Sequence, residues 1–140
     1  MNAKTELENA YYKVFEANSM YIKMRKTCNH EIEGHRIIES IINSIYSIRY
    51  GLAPTDEMYE VYINSVFISF DNVLCEIYNE IVKNAESYRK KEEWVEWIGG
   101  SIAEQEELYR NLMEARIHLT VFNTIRKWNK KNKETMKENN

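Results

Sequence analysis

The chain has 140 residues, of which 44% are hydrophobic and 29% charged, and its formal net charge at neutral pH is −3. This balance excludes a disordered polyampholyte, and four glycines with one proline exclude a collagen-like or low-complexity chain. No apolar stretch approaches the roughly 20 residues of a transmembrane helix, and the early charged residues exclude a secretion signal. Two cysteines are too few for a disulfide framework. We therefore predict one cytoplasmic domain that contacts no membrane.

Charge is distributed unevenly along the chain, with net values of +1 over residues 1–50, −8 over 51–110 and +4 over 111–140. The basic residues from about position 129 form only a short tail, which we expect to fray. Acidic and basic residues are interspersed in the middle segment, so its charge does not imitate the regular phosphate array of a nucleic acid. The charge pattern therefore does not favour nucleic acid as a partner.

Helix breakers divide the chain into segments with helical periodicity. The breaks are the polar residues 27–29, the segment 51–54 with its glycine and proline, and the Gly pair at 99–100. Strands are rejected because polar residues also recur near a period of 3.6 and no turn signal interrupts the long third segment. The predicted helices span about 4–26, 29–50, 55–85, 87–98 and 101–128.

Within these segments, apolar residues recur at the i, i+3, i+4 and i+7 positions of an amphipathic helix. The candidate core faces of the four long helices are Leu7, Ala10, Tyr11, Val14, Tyr21 and Ile22; Ile38, Ile41, Ile42, Ile45 and Ile48; Tyr59, Tyr62, Ile63, Val66, Phe70, Val73, Leu74, Ile77 and Ile81; and Leu108, Leu112, Ala115, Leu119 and Phe122. Thr55 and Asn29 are positioned as N-caps, and Ser101 with Glu104 forms a capping box. We predict an all-α fold, a single elongated helical bundle of four long helices plus one short helix.

Apolar residues remain after these core faces are filled. The second half of the first helix carries Phe15, Met20 and Met24 around its circumference, so one face cannot bury them all. The third helix has a second face of small or apolar residues that includes Val61 and Ile68. Either the short helix at 87–98 covers these faces, or they bind protein. We predict a non-catalytic protein that acts by protein–protein interaction through these five residues, as a homo-oligomer or with another protein.

Arg25 and His30 are the strongest candidates for catalytic residues. Their Arg-x-x-x-x-His spacing resembles the motif of HEPN ribonucleases, which are helical bundles of about this size. The resemblance is carried by these two residues alone. It implies that His30 acts as the acid/base group and that Arg25 binds the scissile RNA phosphate. An RNA-directed enzyme is therefore the alternative function.

Clustered glutamates give a second nucleotide-directed alternative. Glu93-x-x-Glu96 and Glu104-x-x-Glu107 resemble the paired acidic motifs with which helical nucleotide pyrophosphatases bind magnesium. Only a few residues separate the two pairs, and no aspartate follows them. The pattern favours a solvated acidic face near a helix start.

Two Glu-x-x-x-His pairs, Glu31 with His35 and Glu114 with His118, are the candidate metal ligands. Each pair lies one turn apart on one helix face, so neighbouring second and last helices would let the four side chains converge on a metal ion. Carboxylate-bridged dimetal bundles use Glu-x-x-His instead, which favours structural ion pairs here. The sequence contains no phosphate-binding loop, zinc motif or nucleophile elbow. We therefore predict no cofactor, with a metal-binding bundle as a further alternative.

Overall fold

The computed structural model describes residues 2–25, 33–49, 55–90 and 101–138. These residues form four α-helices and no strand: α1 (Ala3–Arg25), α2 (Glu33–Arg49), α3 (Asp56–Lys90) and α4 (Ile102–Glu138). The predicted all-α bundle is therefore confirmed. Within the described ranges, none of these helices combines the length and the apolar character needed to cross a lipid bilayer.

Side-chain caps satisfy backbone N–H groups at the starts of three helices. Asn2 Oδ1 accepts a hydrogen bond of 3.0 Å from the N–H of Lys4 at the start of α1. Thr55 Oγ1 accepts a hydrogen bond of 3.1 Å from the N–H of Met58 at the start of α3. Ser101 and Glu104 exchange two hydrogen bonds of 3.1 Å at the start of α4, which confirms the predicted capping box. Each bond satisfies a donor that the helix itself leaves free. The predicted Asn29 cap lies outside the described residues.

The helices pack as a square in which each helix contacts two neighbours. α1 contacts α2 and α4, and α3 contacts the same two, so α1 and α3 lie on one diagonal. α3 and α4 are antiparallel, because their contacts run in opposite directions along the two helices. The Asp71–Arg116 ion pair lies near the middle of both, whereas the Asn84–Gln105 hydrogen bond lies toward the end of α3 and near the start of α4. α3 has 35 residues and α4 has 37. These helices are therefore roughly 50 Å long or more, which makes the bundle elongated.

One apolar core lies between the four helices. The predicted core faces of α2 and α4 are buried or packed against this core, and that of α3 differs only in Tyr62, which is half-buried. In α1, Ala17 and Met24 belong to the core although they were not predicted there, whereas Ile22 is exposed. The core stripe of α1 is Leu7, Ala10, Val14, Ala17, Tyr21 and Met24.

Two helix ends differ from the expected ones. α3 continues without a break through Ser87 to Lys90, so the predicted start of a separate short helix at Ser87 is wrong. The rest of that prediction, residues 91–98, lies outside the described residues. α4 is helical to Glu138, past the position near 129 where we expected fraying. Neither stretch contains glycine or proline, so the backbone carries no stop signal there.

Candidate protein-binding face

α3 carries a continuous stripe of exposed side chains opposite its buried residues. Val61 is 64% exposed and Ile68 is 61% exposed, although both are apolar. From Met58 to Val82 the stripe is about 36 Å long. We call it the α3 stripe, and its members are Met58, Val61, Ser65, Ile68, Asn72, Cys75, Asn79 and Val82.

The spacing of the α3 stripe is that of a seam between two helices. Its steps alternate between three and four residues, so each two successive steps cover seven residues, the repeat that keeps side chains facing a partner along a coiled coil. The stripe alternates between an apolar position, Val61, Ile68, Cys75 and Val82, and a mostly polar one, Met58, Ser65, Asn72 and Asn79. Asparagine in such a seam costs stability but specifies the register. The stripe therefore has the spacing and the chemistry to pack against another helix.

A groove of about 420 Å³ lies beside the α3 stripe, between α3 and α4. Cys75 belongs to both the stripe and the groove, and the exposed ring of Tyr78 lies 6.4 Å from the ring of Tyr109. Tyrosine and methionine are enriched where proteins meet, because they offer large contact areas that adapt to the partner. The groove is lined by Asp71, Leu74, Cys75, Tyr78, Tyr109, Met113 and Arg116. We call the α3 stripe and this groove together the α3 face.

An ion pair and a cation–π contact hold the groove in place. Arg116 Nε donates to Asp71 Oδ1 at 2.9 Å, and the Arg116 Cζ lies 5.3 Å from the centroid of the Phe67 ring. Both contacts join α3 to α4 in the middle of the groove. A surface that is ordered before binding loses less conformational entropy when a partner docks. The α3 face is thus a preformed surface.

The five predicted partner-binding residues lie in three different environments. Val61 and Ile68 are exposed on the α3 stripe, and Phe15 is 54% exposed on α1, on the opposite side of the bundle. Met20 packs against the core, and its Sδ accepts a hydrogen bond of 3.0 Å from Asn111 Nδ2. Met24 is only 3% exposed and belongs to the core, which corrects its assignment to a free surface. Met24 lies three residues after the buried Tyr21, so it is on the same inward side of α1.

The candidate catalytic pair is not brought together by any described contact. Arg25 is the last residue of α1, and its side chain lies outside the described part of the structure. His30 also lies outside the described residues. The ribonuclease hypothesis for Arg25 and His30 stays a prediction from the sequence. The same holds for the Glu93 and Glu96 pair, whose residues are likewise not described.

The described half of the candidate metal site is engaged in polar contacts with α1. Glu114 Oε2 lies 2.8 Å from Lys13 Nζ, and His118 Nδ1 lies 2.6 Å from Glu6 Oε2. Glu31 and the side chain of His35 lie outside the described residues. α2 and α4 lie on a diagonal of the bundle, so the neighbouring arrangement that the hypothesis needs is absent from the described helices. Within the described residues, no three His, Cys, Asp or Glu side chains are grouped closely enough to hold a metal ion.

The Lys13–Glu114 ion pair predicts how stability depends on pH. The hydrogen bond from Lys13 lowers the pKa of the Glu114 carboxyl below its ordinary value, and it raises the pKa of Lys13. A carboxyl with a lowered pKa stabilises the fold at neutral pH and loses this contribution as the pH falls through its folded-state pKa. Lys13 loses its contribution only at a pH above the ordinary lysine range.

We therefore expect Glu114→Gln to lower the Tm near neutral pH, by an amount that shrinks as the pH falls through the lowered folded-state pKa of the Glu114 carboxyl. Scanning calorimetry of both proteins across this pH range measures the difference. The effect is small because both side chains are partly exposed to solvent. A Tm difference that grows as the pH falls contradicts the prediction.

The sequence predicted part of the α3 face but not its full extent. Val61 and Ile68 were predicted, and the same steps of three and four residues extend the stripe to Met58 and Val82. The groove was missed, because Tyr109 and Met113 join it only through the pairing of α3 with α4. The chain matches no protein-family model, no curated protein and no solved structure. The role of the α3 face therefore has to follow from its own geometry and chemistry.

Proposed function

We propose that this protein acts by binding another protein chain on the α3 face, without catalysing a reaction. The observation that supports this is the row of exposed apolar side chains that runs along most of α3. Of the eleven large hydrophobic side chains that are exposed in the described residues, five belong to α3. They are Met58, Val61, Ile68, Tyr78 and Val82.

The cost of this surface in water supports a binding role. Exposed apolar area forgoes about 25 cal/mol of stabilisation for each Å² that a partner would bury. Single exposed apolar residues are common on any protein, but apolar side chains that recur at regular spacing along about 36 Å of one helix face are typical of an interaction site. The polar residues Ser65, Asn72 and Asn79 interrupt the strip, which keeps the free protein soluble and limits the choice of partner.

A site-specific photocrosslinker tests this proposal whatever the identity of the partner. We expect benzoylphenylalanine at Ile68 to form a covalent adduct with a discrete protein when the chain is expressed in its native host. The adduct is identified by mass spectrometry. Its formation should not depend on added nucleotide or metal.

Phe15 provides the matched control for this experiment. It is exposed to a similar degree as Ile68 but lies on α1, diagonally opposite α3. The same photocrosslinker at position 15 should give no discrete adduct. Equal labelling from both positions, or none from position 68, contradicts a binding role of the α3 face.

A further inference from the structure

The spacing of the α3 stripe is the same in both chain directions. About Phe70 as the midpoint, its steps are three, four, three, four, three, four and three residues. A second α3 in antiparallel orientation with the same midpoint therefore brings stripe position against stripe position along the whole seam. In that register Ile68 lies opposite Asn72 of the second copy, and Met58 lies opposite Val82 of the second copy. The positions of the stripe therefore match themselves, as a two-fold symmetric dimer requires, and three of the four kinds of pair place an apolar side chain opposite a polar one.

The contacts between α3 and α4 place an exposed residue of α4 at the same height as this midpoint. Asp71 pairs with Arg116 across the two helices, so Phe70 is level with Ile117. Ile117 is 55% exposed on the outer side of α4. A single two-fold axis, perpendicular to the helices at the level of Phe70 and Ile117, can therefore relate α3 and α4 of one copy to α3 and α4 of the second copy.

The exposed charges of α4 are arranged oppositely on the two sides of Ile117. The acidic residue Glu106 lies roughly three turns before it on the same side of the helix, and the basic residues Lys127 and Lys131 lie roughly three and four turns after it. The antiparallel two-fold brings the acidic end of one copy beside the basic end of the other. A parallel dimer brings like charges together, which disfavours association. Charge complementarity therefore selects the antiparallel orientation.

The size of the α3 face also fits a dimer. A face about 36 Å long and two helices wide, at about 10 Å for each helix, covers roughly 700 Å² on each partner. A standard stable interface buries about 800 Å² on each partner. The α3 stripe alone offers about half of this area, so the groove and the outer side of α4 are needed to complete the interface.

From these four features we infer that the α3 face binds a second copy of this chain, antiparallel, about a two-fold axis level with Phe70 and Ile117. The inference rests on the proposed function and adds the identity of the partner and its orientation. The seam of this dimer is formed by the α3 stripe. Its rim pairs Lys127 of each copy with Glu106 of the other.

Cysteine crosslinking tests the register. In a Cys28→Ser background Cys75 is the one remaining native thiol. The antiparallel register places Ser65 opposite Cys75 of the second copy, so Ser65→Cys should yield a covalent dimer with a short bismaleimide. Light scattering of the uncrosslinked protein should give about twice the chain mass of 16.8 kDa.

The same stripe supplies controls that distinguish the two orientations. In the antiparallel register, two Cys75 side chains lie about 15 Å apart along the seam, so the Cys28→Ser parent should not crosslink. Met58→Cys lies about 10 Å from the nearest Cys75 and should also stay uncrosslinked. In a parallel dimer each position lies opposite the same position of the second copy. The parent would then crosslink Cys75 to Cys75, and Met58→Cys would crosslink at both position 58 and position 75. Either result overturns the inference.

A charge exchange gives an independent measurement that leaves the apolar seam unchanged. Lys127→Glu alone and Glu106→Lys alone should each raise the dimer dissociation constant about three- to tenfold. Each substitution places like charges across the rim twice in every dimer. The double variant restores opposite charges and should return the constant to within about twofold of wild type. Sedimentation equilibrium at low ionic strength measures all four proteins.

Two outcomes separate this inference from the proposed function. Additive weakening in the double variant overturns the antiparallel pairing, even if a dimer exists. A chain that stays monomeric at all accessible concentrations overturns the second copy as the partner. If the photocrosslinker at Ile68 still captures a different protein, the proposed function stands and only this inference fails.

Discussion

Replacing Phe70 by alanine is expected to lower the free energy of unfolding by about 3–5 kcal/mol. Phe70 is completely buried in the core, on the face of α3 that packs between α2 and α4. Its removal loses the transfer free energy of the ring and leaves a cavity that the long, tightly packed helices fill only in part. Urea denaturation followed by circular dichroism measures the loss.

Ile68 provides the matched control two residues away on the same helix. Its side chain is exposed on the α3 stripe, so Ile68→Ala should change the free energy of unfolding by no more than about 0.5 kcal/mol. The comparison is made at low protein concentration, where self-association contributes least to the apparent stability. If Ile68→Ala costs as much as Phe70→Ala, the orientation of α3 about its own axis is wrong.

The second large effect is expected from a buried amide pair between α3 and α4. Asn84 Nδ2 donates to Gln105 Oε1 at 3.2 Å, and both residues are completely buried. Asn84 Oδ1 has no hydrogen-bond partner in the described part of the chain. Gln105→Leu removes the acceptor, so the buried Nδ2 of Asn84 loses its hydrogen bond to Gln105 as well. We expect the variant to lose about 1–3 kcal/mol in the free energy of unfolding.

The double variant Asn84→Leu with Gln105→Leu separates the two possible causes of this loss. It removes both members of the pair, so neither amide is left in the core without the other. We expect it to lie within about 1 kcal/mol of wild type, because replacing both members of a buried polar pair by apolar groups is nearly neutral. Urea denaturation of Asn84→Leu, Gln105→Leu and the double variant, each compared with wild type, measures these differences. A double variant less stable than both single variants would instead show that leucine does not fit at these positions.

The core of this bundle could be predicted from local periodicity. In α2 and α4, steps of three and four residues place isoleucine, leucine and alanine on one side of each helix, and those side chains are buried. The start of α4 was equally predictable, because Ser101 and Glu104 satisfy each other's backbone N–H groups within one turn. Both signals arise within a few residues and do not depend on the neighbouring helices.

The buried polar residues could not be predicted in this way. Asn84 and Gln105 are separated by 21 positions in the chain, and each alone is typical of a solvated helix surface. They are buried because the antiparallel pairing of α3 and α4 brings their amides to the same level. The pairing of His118 with Glu6 depends on the packing of α1 against α4 in the same manner.

α3 shows where the information in the sequence ends. Its sequence determines a long amphipathic helix, since no glycine or proline interrupts residues 56–90 and apolar residues recur at helical spacing. It contains two stripes with steps of three and four residues, however, one through Phe70 and one through Ile68. Periodicity alone does not rank them, but the larger and more continuous apolar volume of the stripe through Phe70 already assigns that stripe to the core. The sequence does not say which helices cover each stripe. The tertiary structure decides this, because α2 and α4 pack on the stripe through Phe70 and none of the described helices covers the α3 stripe.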